Sequence, residues 1–186
     1  MNELALYRNI MIIGTGIDAC IEKKLTVSAL ILIYSGIDTV GWLDSSDDHT
    51  TRTSFMKWVD TYLLKAKPLQ CTSLDLYSAR CGILLTLTPV SSIAKARRIC
   101  YAWGTAIGQN LQRTIDLTNK SGEYVAVHIN DLYEAWRHGV LQFTEELEKD
   151  SDRKSRVYNK AGKFFSELSL EDVCKVLTKL DKGPGA

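Results

Sequence analysis

The residue best suited to chemistry in this sequence is an arginine, Arg80, which lies within a mostly apolar run from residue 75 to residue 86. Thr72 and Asp75 form the Thr-x-x-Asp pattern of a capping box, so the run predicts a helix that begins near residue 72. At about 100° per residue, Arg80 falls on the flank of the apolar face of that helix. A guanidinium in that place needs a partner or a cleft, because an unpaired buried charge is costly. Arg80 is therefore either a site residue or half of an internal ion pair.

The other residue types that catalyse reactions or bind metals are few and unsuitably spaced. There are three histidines, at positions 49, 128 and 138, and five cysteines, at positions 20, 71, 81, 100 and 174. No pair has zinc-ligand spacing, and no H-E-x-x-H pattern, G-x-S-x-G pattern or phosphate-binding loop occurs. We therefore expect no metal and no cofactor, and we expect the cysteines to be free thiols.

One pattern near the N-terminus imitates a cofactor site. The run Gly14-Thr15-Gly16-Ile17-Asp18-Ala19 matches G-x-G-x-x-A, and Asp38 follows at a distance suited to a ribose contact. A dinucleotide fingerprint needs a strand–turn–helix context inside repeated βαβ units. The residue patterns of the later chain predict no such units. The competing interpretation is a helix whose apolar seam has alternating four- and three-residue steps, formed by Leu6, Ile10, Ile13, Ile17 and Cys20.

The charge of the chain is balanced overall but unevenly distributed. The 186 residues carry a net charge of +1, and 45% of them are hydrophobic, which is typical of one globular domain with a sizeable core. Residues 61–120 hold eight Lys or Arg against two Asp or Glu, whereas the segments on either side are mildly acidic. The middle third is therefore the segment best suited to a polyanion.

Two N-terminal features bear on location. The sequence begins Met1-Asn2-Glu3 without a basic stretch, so no secretory signal peptide is predicted. The most apolar stretch, residues 25–43, includes Asp38 and several hydroxyls, and is better interpreted as a buried central helix than as a membrane span. We expect a cytoplasmic protein that does not enter a membrane.

Hydrophobic periodicity predicts a mostly α-helical chain. Helical patterns cover residues 3–24 and 25–43, the segment around Trp58, the Arg80 helix, the segment around Trp136, and helices that begin at Ser151 and Ser169. Period-2 patterns predict strands near 97–103 and 124–129, which we expect to form a small inserted antiparallel hairpin or sheet. Residues 104–118 fit either a helix or a strand. No linker or repeat divides the chain, so residues 1–186 are predicted to be a single domain.

The run Tyr77-Ser78-Ala79-Arg80-Cys81-Gly82-Ile83-Leu84-Leu85-Thr86 resembles the motif helix of HEPN-domain proteins. That motif is an arginine followed, after four to six residues, by a histidine at the end of a helix in an α-helical bundle. The segment Ile99-Cys100-Tyr101-Ala102-Trp103-Gly104 extends the likeness to uncharacterised prokaryotic HEPN-like proteins. Many members are metal-independent endoribonucleases that act as dimers with facing motif helices, so the resemblance implies a homodimer with Arg80 at its catalytic position.

The sequence departs from the motif at one residue. Leu85 stands where the motif has histidine, and Thr86 cannot replace an imidazole as a general acid or base near neutral pH. Arg80 can stabilise phosphate charge but cannot accept a proton. We therefore expect a degenerate ribonuclease motif that binds RNA or a protein partner, with Asp38, Tyr77 and Thr86 as supporting polar residues.

The basic segment after the motif helix is the second candidate site. Lys95, Arg97 and Arg98 are predicted to contact RNA, because they concentrate positive charge at the start of a strand. Two alternatives stay open. One is an active metal-independent endoribonuclease in which another group supplies the base, and the other is a structural or antitoxin-like interaction protein that does not bind nucleic acid.

Overall fold

The computed structural model describes residues 2–88, 93–103, 107–118 and 120–164, together with Cys174. The chain is mostly helical with one small sheet. Its elements are α1 (Asn2–Glu22), α2 (Thr26–Asp44), α3 (Arg52–Trp58), a π-helical turn (Val59–Leu63), α4 (Leu64–Ala66), α5 (Ser73–Thr86), β1 (Arg98–Ala102), α6 (Ile107–Leu117), β2 (Tyr124–His128), α7 (Ile129–Leu147) and α8 (Ser151–Ala161). The helix predicted from Ser169 lies outside the described residues.

Helix α2 is the centre of the core, as its apolar sequence predicts. It contacts α1, α3, α5, α7 and α8. One close approach depends on a glycine: a Cβ placed on Gly36 would lie 2.9 Å from Nε1 of Trp136 in α7. The flat indole therefore packs directly on the backbone of α2. The buried positions of the helix are Ala29, Leu30, Ile33, Tyr34, Gly36, Ile37, Val40, Gly41 and Leu43.

The dinucleotide pattern does not form a phosphate-binding turn. Gly14 and Gly16 lie inside the uninterrupted helix α1, so the segment has no strand–turn–helix geometry. The seam interpretation is confirmed for Leu6, Ile10 and Ile17, which are buried.

The sheet differs from the prediction in its direction. Strands β1 and β2 lie at the predicted positions, but they pair in parallel, with Arg98 opposite Tyr124 and Ala102 opposite His128. The antiparallel expectation was wrong because residues 107–117 form a helix, α6, between the strands. A helical crossover carries the chain back so that the second strand starts at the same end as the first. The later chain thus contains one βαβ unit, which the sequence patterns did not reveal.

Two cations of α8 hold the C-terminal end of α2. Lys160 is only 6% exposed, and its Nζ donates hydrogen bonds to the carbonyl oxygens of Trp42, Ser45 and Asp47. Arg153 donates from Nε to Oδ1 of Asp44 at 2.6 Å. These bonds tie the end of α2 to the loop that follows it, because one ammonium group bridges a carbonyl oxygen of the helix and two of the loop.

Helices α1 and α2 are each long and apolar enough to cross a bilayer by length and composition alone, but they are buried to different degrees. The most apolar window of α2 is 50% buried in the core, whereas that of α1 is 17% buried. Helix α1 therefore presents much of its apolar surface to the outside.

Candidate functional site

Helix α5 positions Arg80, and its start is fixed as the sequence predicts. The Thr72 hydroxyl accepts a hydrogen bond from the backbone N–H of Asp75, and the Asp75 carboxylate accepts one from the N–H of Thr72. This capping box satisfies two N–H groups at the helix start. Arg80 follows five residues later, half-buried at the side of the helix.

Arg80 forms an ion pair with Asp38 of α2. Its Nε and its Nη2 each lie 2.7 Å from Oδ2 of Asp38, and the two side chains are 23% and 13% exposed. Burial opposes the charge of the guanidinium, but the hydrogen bond and charge of Asp38 raise the pKa of Arg80 above its usual value. The two charged residues that the sequence places in separate apolar helices are thus each other's partners.

The Asp38 carboxylate is turned inward. Its Oδ1 is buried and accepts no hydrogen bond from any described residue. Burial raises the pKa of Asp38, and the hydrogen bond and charge of Arg80 oppose that rise. Because one oxygen is bonded to Arg80 and the other is shielded from solvent, Asp38 presents no free carboxylate oxygen at the surface.

Arg80 also belongs to a partly exposed group that we call the arginine–tyrosine cluster, formed by Arg52, Tyr77, Arg80 and Cys81. The guanidinium of Arg52 lies over the Tyr77 ring, 5.8 Å from its centroid. Cys81 lies four residues after Tyr77 on α5, so the two side chains are neighbours on the helix surface. The Tyr77 ring packs edge-on against Phe55, 5.5 Å between centroids, which fixes its orientation. Burial and the neighbouring Cys81 raise the pKa of the Tyr77 hydroxyl.

The remaining predicted supporting residue, Thr86, serves its own helix. Its hydroxyl donates to the carbonyl oxygen of Gly82 at 2.9 Å and bonds with Thr88 at 2.8 Å. Leu85, at the position of the motif histidine, is 74% exposed. The end of α5 is therefore accessible to solvent.

The three predicted RNA-binding cations have different surroundings. Arg97 is held by Asp75, with Nη2 to Oδ2 at 2.9 Å and the backbone N–H to Oδ1 at 2.7 Å, and it also donates to the Gln70 carbonyl. Lys95 and Arg98 are exposed. Two of the three predicted cations are therefore open to a ligand, and the third joins the strand to the start of α5.

Arg98 has an aromatic neighbour. Its guanidinium lies over the ring of Tyr124 in β2, 5.9 Å from the centroid, and Nη1 donates to the Tyr124 hydroxyl at 3.4 Å. We call Lys95, Arg98 and Tyr124 the strand patch. It repeats the pairing of an arginine with a tyrosine that is found in the arginine–tyrosine cluster.

Sequence reasoning missed Arg52 and Tyr124. Arg52 is the first residue after the helix cap Thr51, and nothing in the spacing connects it with Tyr77. Tyr124 becomes a neighbour of Arg98 only through the parallel register. The capping pattern of α3 and the alternation of β2 were the only signals, and both concern local structure.

Among the described residues, no group of three or more His, Cys, Asp or Glu side chains is arranged to hold a metal ion. Comparison with protein-family models, with curated proteins and with solved structures gave no match for the chain.

Proposed function

We propose that the chain is a HEPN-like RNA-binding protein without ribonuclease activity, and that it binds single-stranded RNA at the arginine–tyrosine cluster. The observation that carries this proposal is the position of two arginines, Arg52 and Arg80, beside one partly exposed tyrosine, Tyr77. Arg52 lies over the ring of Tyr77, and Arg80 is three residues after Tyr77 on the same helix, so the cluster joins positive charge and an aromatic ring on one surface.

This combination suits single-stranded RNA for two physical reasons. Arginine carries a permanent charge and a planar set of donors that match phosphate oxygens. An aromatic ring stacks on bases of any sequence, and such stacking contributes about 1–3 kcal/mol per base. The ring of Tyr77 is already oriented by Phe55, which lowers the entropy lost when a base stacks on it.

The surroundings of Arg80 favour binding over cleavage. Metal-independent RNA cleavage needs a group that takes a proton from the 2′-hydroxyl, and such help is worth about 10²–10⁴-fold in rate. Asp38 is bonded to Arg80 through one oxygen and is shielded at the other. The Tyr77 hydroxyl is protonated at neutral pH because the ordinary pKa of tyrosine is about 10, and burial raises its pKa further. With leucine at position 85, neither Asp38 nor Tyr77 is suited to act as the base.

The strand patch extends the proposed surface. Arg98 and Lys95 are exposed cations, and Tyr124 adds a second ring beside Arg98. Arg97 is assigned to the scaffold and not to the ligand, because both its backbone N–H and its guanidinium fasten the start of β1 to Asp75 of α5.

The test is a titration of a labelled single-stranded RNA with the full chain, followed by fluorescence anisotropy at several salt concentrations. Arg52→Ala is expected to weaken binding about tenfold and to reduce the salt slope by about one, because one phosphate contact is lost. Tyr77→Leu is expected to weaken binding with the salt slope unchanged, whereas Tyr77→Phe keeps the ring and binds like the native chain.

Lys57→Ala is the matched control, because Lys57 is exposed on the same helix as Arg52 but is not part of the cluster. Absence of RNA binding at low salt would overturn the proposal. Equal losses in Lys57→Ala and Arg52→Ala would mean that general surface charge, and not this cluster, holds the RNA.

A further inference from the structure

Helix α1 carries an unusual exposed surface. We call it the outer α1 face, formed by Leu4, Arg8, Met11, Ile12, Thr15 and Asp18, all of which are exposed. Leu4 is 74% exposed, Met11 70% and Ile12 57%. At about 100° per residue, these three side chains lie on one side of the helix, and exposed apolar surface of this kind marks interaction sites.

A groove runs beside this face. It lies between α1 and α7, has a volume of about 540 Å³, and has Ile10, Gly14, Trp136 and Val140 among its lining residues. Leu141 of α7, 56% exposed, also lines it. A helix laid along the outer α1 face therefore covers apolar surface on both α1 and α7.

The charges along α1 indicate which helix fits this face. Arg8 and Asp18 lie five residues on either side of position 13. When two copies of α1 pair antiparallel about this point, Arg8 of one copy meets Asp18 of the other. Both residues are exposed.

We propose that the outer α1 face is a homodimer interface, in which the α1 helices of two copies pack antiparallel about a two-fold axis between Met11 and Thr15. Two-fold symmetry requires a patch that is complementary to itself, and the charge order of α1 meets that requirement. The contact between Arg8 and Asp18 then occurs twice. The apolar centre, formed by Met11 and Ile12 of both copies, is covered by the same pairing.

Neighbouring groups are compatible with this pairing. Among the described residues, no carboxylate lies within ion-pair distance of Arg8 in the single chain. Asp18 lines the groove beside Tyr133, whose hydroxyl donates to the carbonyl oxygen of Gly14 at 3.1 Å. Asp18 is exposed at the edge of this groove, on the surface that the second copy covers.

This interface involves residues different from those of the arginine–tyrosine cluster. It also differs from the dimer that the HEPN resemblance implies, in which the Arg80 helices face each other. The proposal does not depend on RNA binding, so either one can fail while the other stands. A lipid surface is less well matched, because an outer face with charges of both signs opposes insertion into the hydrocarbon region.

The experiment measures the mass of the full chain by sedimentation velocity over micromolar concentrations. The native chain is expected to dimerise. Met11→Asp places a carboxylate at the apolar centre twice per dimer, and we expect the dissociation constant to rise at least about a hundredfold. Arg8→Asp sets a new carboxylate against Asp18 of the other copy twice per dimer, and we expect a rise of about tenfold.

The decisive variant is the charge swap Arg8→Asp with Asp18→Arg, which is expected to restore the dissociation constant to within about threefold of native. Lys65→Asp is the matched control, since Lys65 is exposed on α4 and the charge change is the same. All variants are at exposed positions, and their folding is checked by thermal unfolding.

Three outcomes would overturn the proposal: recovery of the native chain as a monomer throughout, failure of the swap to rescue the dimer that Arg8→Asp loses, and unchanged dimerisation of Met11→Asp. The last result would place the dimer on another surface such as the Arg80 helix. Co-sedimentation of the native chain with anionic phospholipid vesicles, abolished by Met11→Asp in a chain that stays monomeric, would identify a lipid surface as the occupant instead.

Discussion

Asp75 and Arg97 are joined by three hydrogen bonds, and the same carboxylate also caps helix α5. Oδ1 of Asp75 accepts from the backbone N–H of Arg97 at 2.7 Å, while Oδ2 accepts from its Nη2 at 2.9 Å and from its Nε at 3.2 Å. Asp75 is 2% exposed. One side chain thus fixes both the start of the helix that carries Arg80 and the entry to strand β1.

Asp75→Asn is expected to lower the free energy of unfolding by about 2–3 kcal/mol, because it removes a charged cap and leaves the Arg97 guanidinium without its carboxylate. The measurement is urea unfolding followed by circular dichroism. Asp116→Asn is the control, since Asp116 is exposed on α6. A loss in Asp75→Asn no larger than that in Asp116→Asn would contradict the role assigned to Asp75.

The same residue predicts an acid dependence. Although burial disfavours its charge, the backbone hydrogen bonds from Thr72 and Arg97 hold the pKa of Asp75 below its usual value. The folded pKa is therefore lower than that of the unfolded chain, about 3.9. Asp75 contributes its stabilisation above that pH and loses it as the pH falls through the folded pKa. We expect the stability difference between native chain and Asp75→Asn to shrink below pH 4.

Gly36→Ala is expected to destabilise the core by about 1–3 kcal/mol, because the added Cβ meets the indole of Trp136, which is buried and cannot move aside. Three ring atoms lie at 2.9–3.0 Å from that Cβ position. Gly122→Ala is the control, as a Cβ there meets nothing within 4 Å. Thermal unfolding of both variants checks the prediction, and equal melting temperatures would show that α7 shifts to accept the methyl group.

Charge reversal should distinguish the RNA-binding role proposed for Arg98 from the structural role of Arg97. Arg98→Glu is expected to weaken RNA binding and lower the salt slope by about one, with stability unchanged, because Arg98 is exposed. Arg97→Glu is expected to destabilise the fold, since it opposes Asp75. Salt-dependent anisotropy and thermal unfolding are measured on each variant. Unchanged RNA affinity in Arg98→Glu would remove the strand patch from the binding surface.

A histidine at position 85 tests the proposal that the chain lacks ribonuclease activity. Leu85 is 74% exposed, so Leu85→His is expected to change the free energy of unfolding by less than about 0.5 kcal/mol. The native chain should leave RNA uncut in the presence of a chelator, and Leu85→His should cut it measurably, because an imidazole adds an acid and base to the helix that carries Arg80. Leu85→Gln is the inactive control. Brisk cleavage by the native chain would refute the non-catalytic assignment.

The sequence predicted what depends on local patterns. The capping box at Thr72, three of the five residues of the α1 seam and the positions of both strands follow from residue spacing, and the structure confirms them. An internal ion pair was one of the two interpretations of Arg80, because a charge in an apolar helix requires a partner. The identity of the partner of Arg80 depends on how α2 and α5 pack against each other.

Features that depend on strand direction or on residues distant in the sequence could not be predicted from local spacing. Side chains alternate in the same way in parallel and antiparallel strands, so alternation does not give the direction of β2. That direction depends on the connecting segment α6, whose sequence fitted either a helix or a strand. Asp75 was readable as a helix cap, but its bonds to Arg97 span 22 positions. Arg52 and Tyr77 meet because α3 packs on α5, and no spacing rule connects them.

The two α8 cations that hold the end of α2 have a consequence for the order of folding. Arg153 and Lys160 reach back across 109 and 118 positions to Asp44 and Trp42. Closing so long a loop costs entropy before any bond is gained, and contacts of this range slow folding. During synthesis, the C-terminal turn of α2 emerges long before α8 exists. The most central helix of the protein therefore reaches its final, fully bonded state among the last steps of chain assembly.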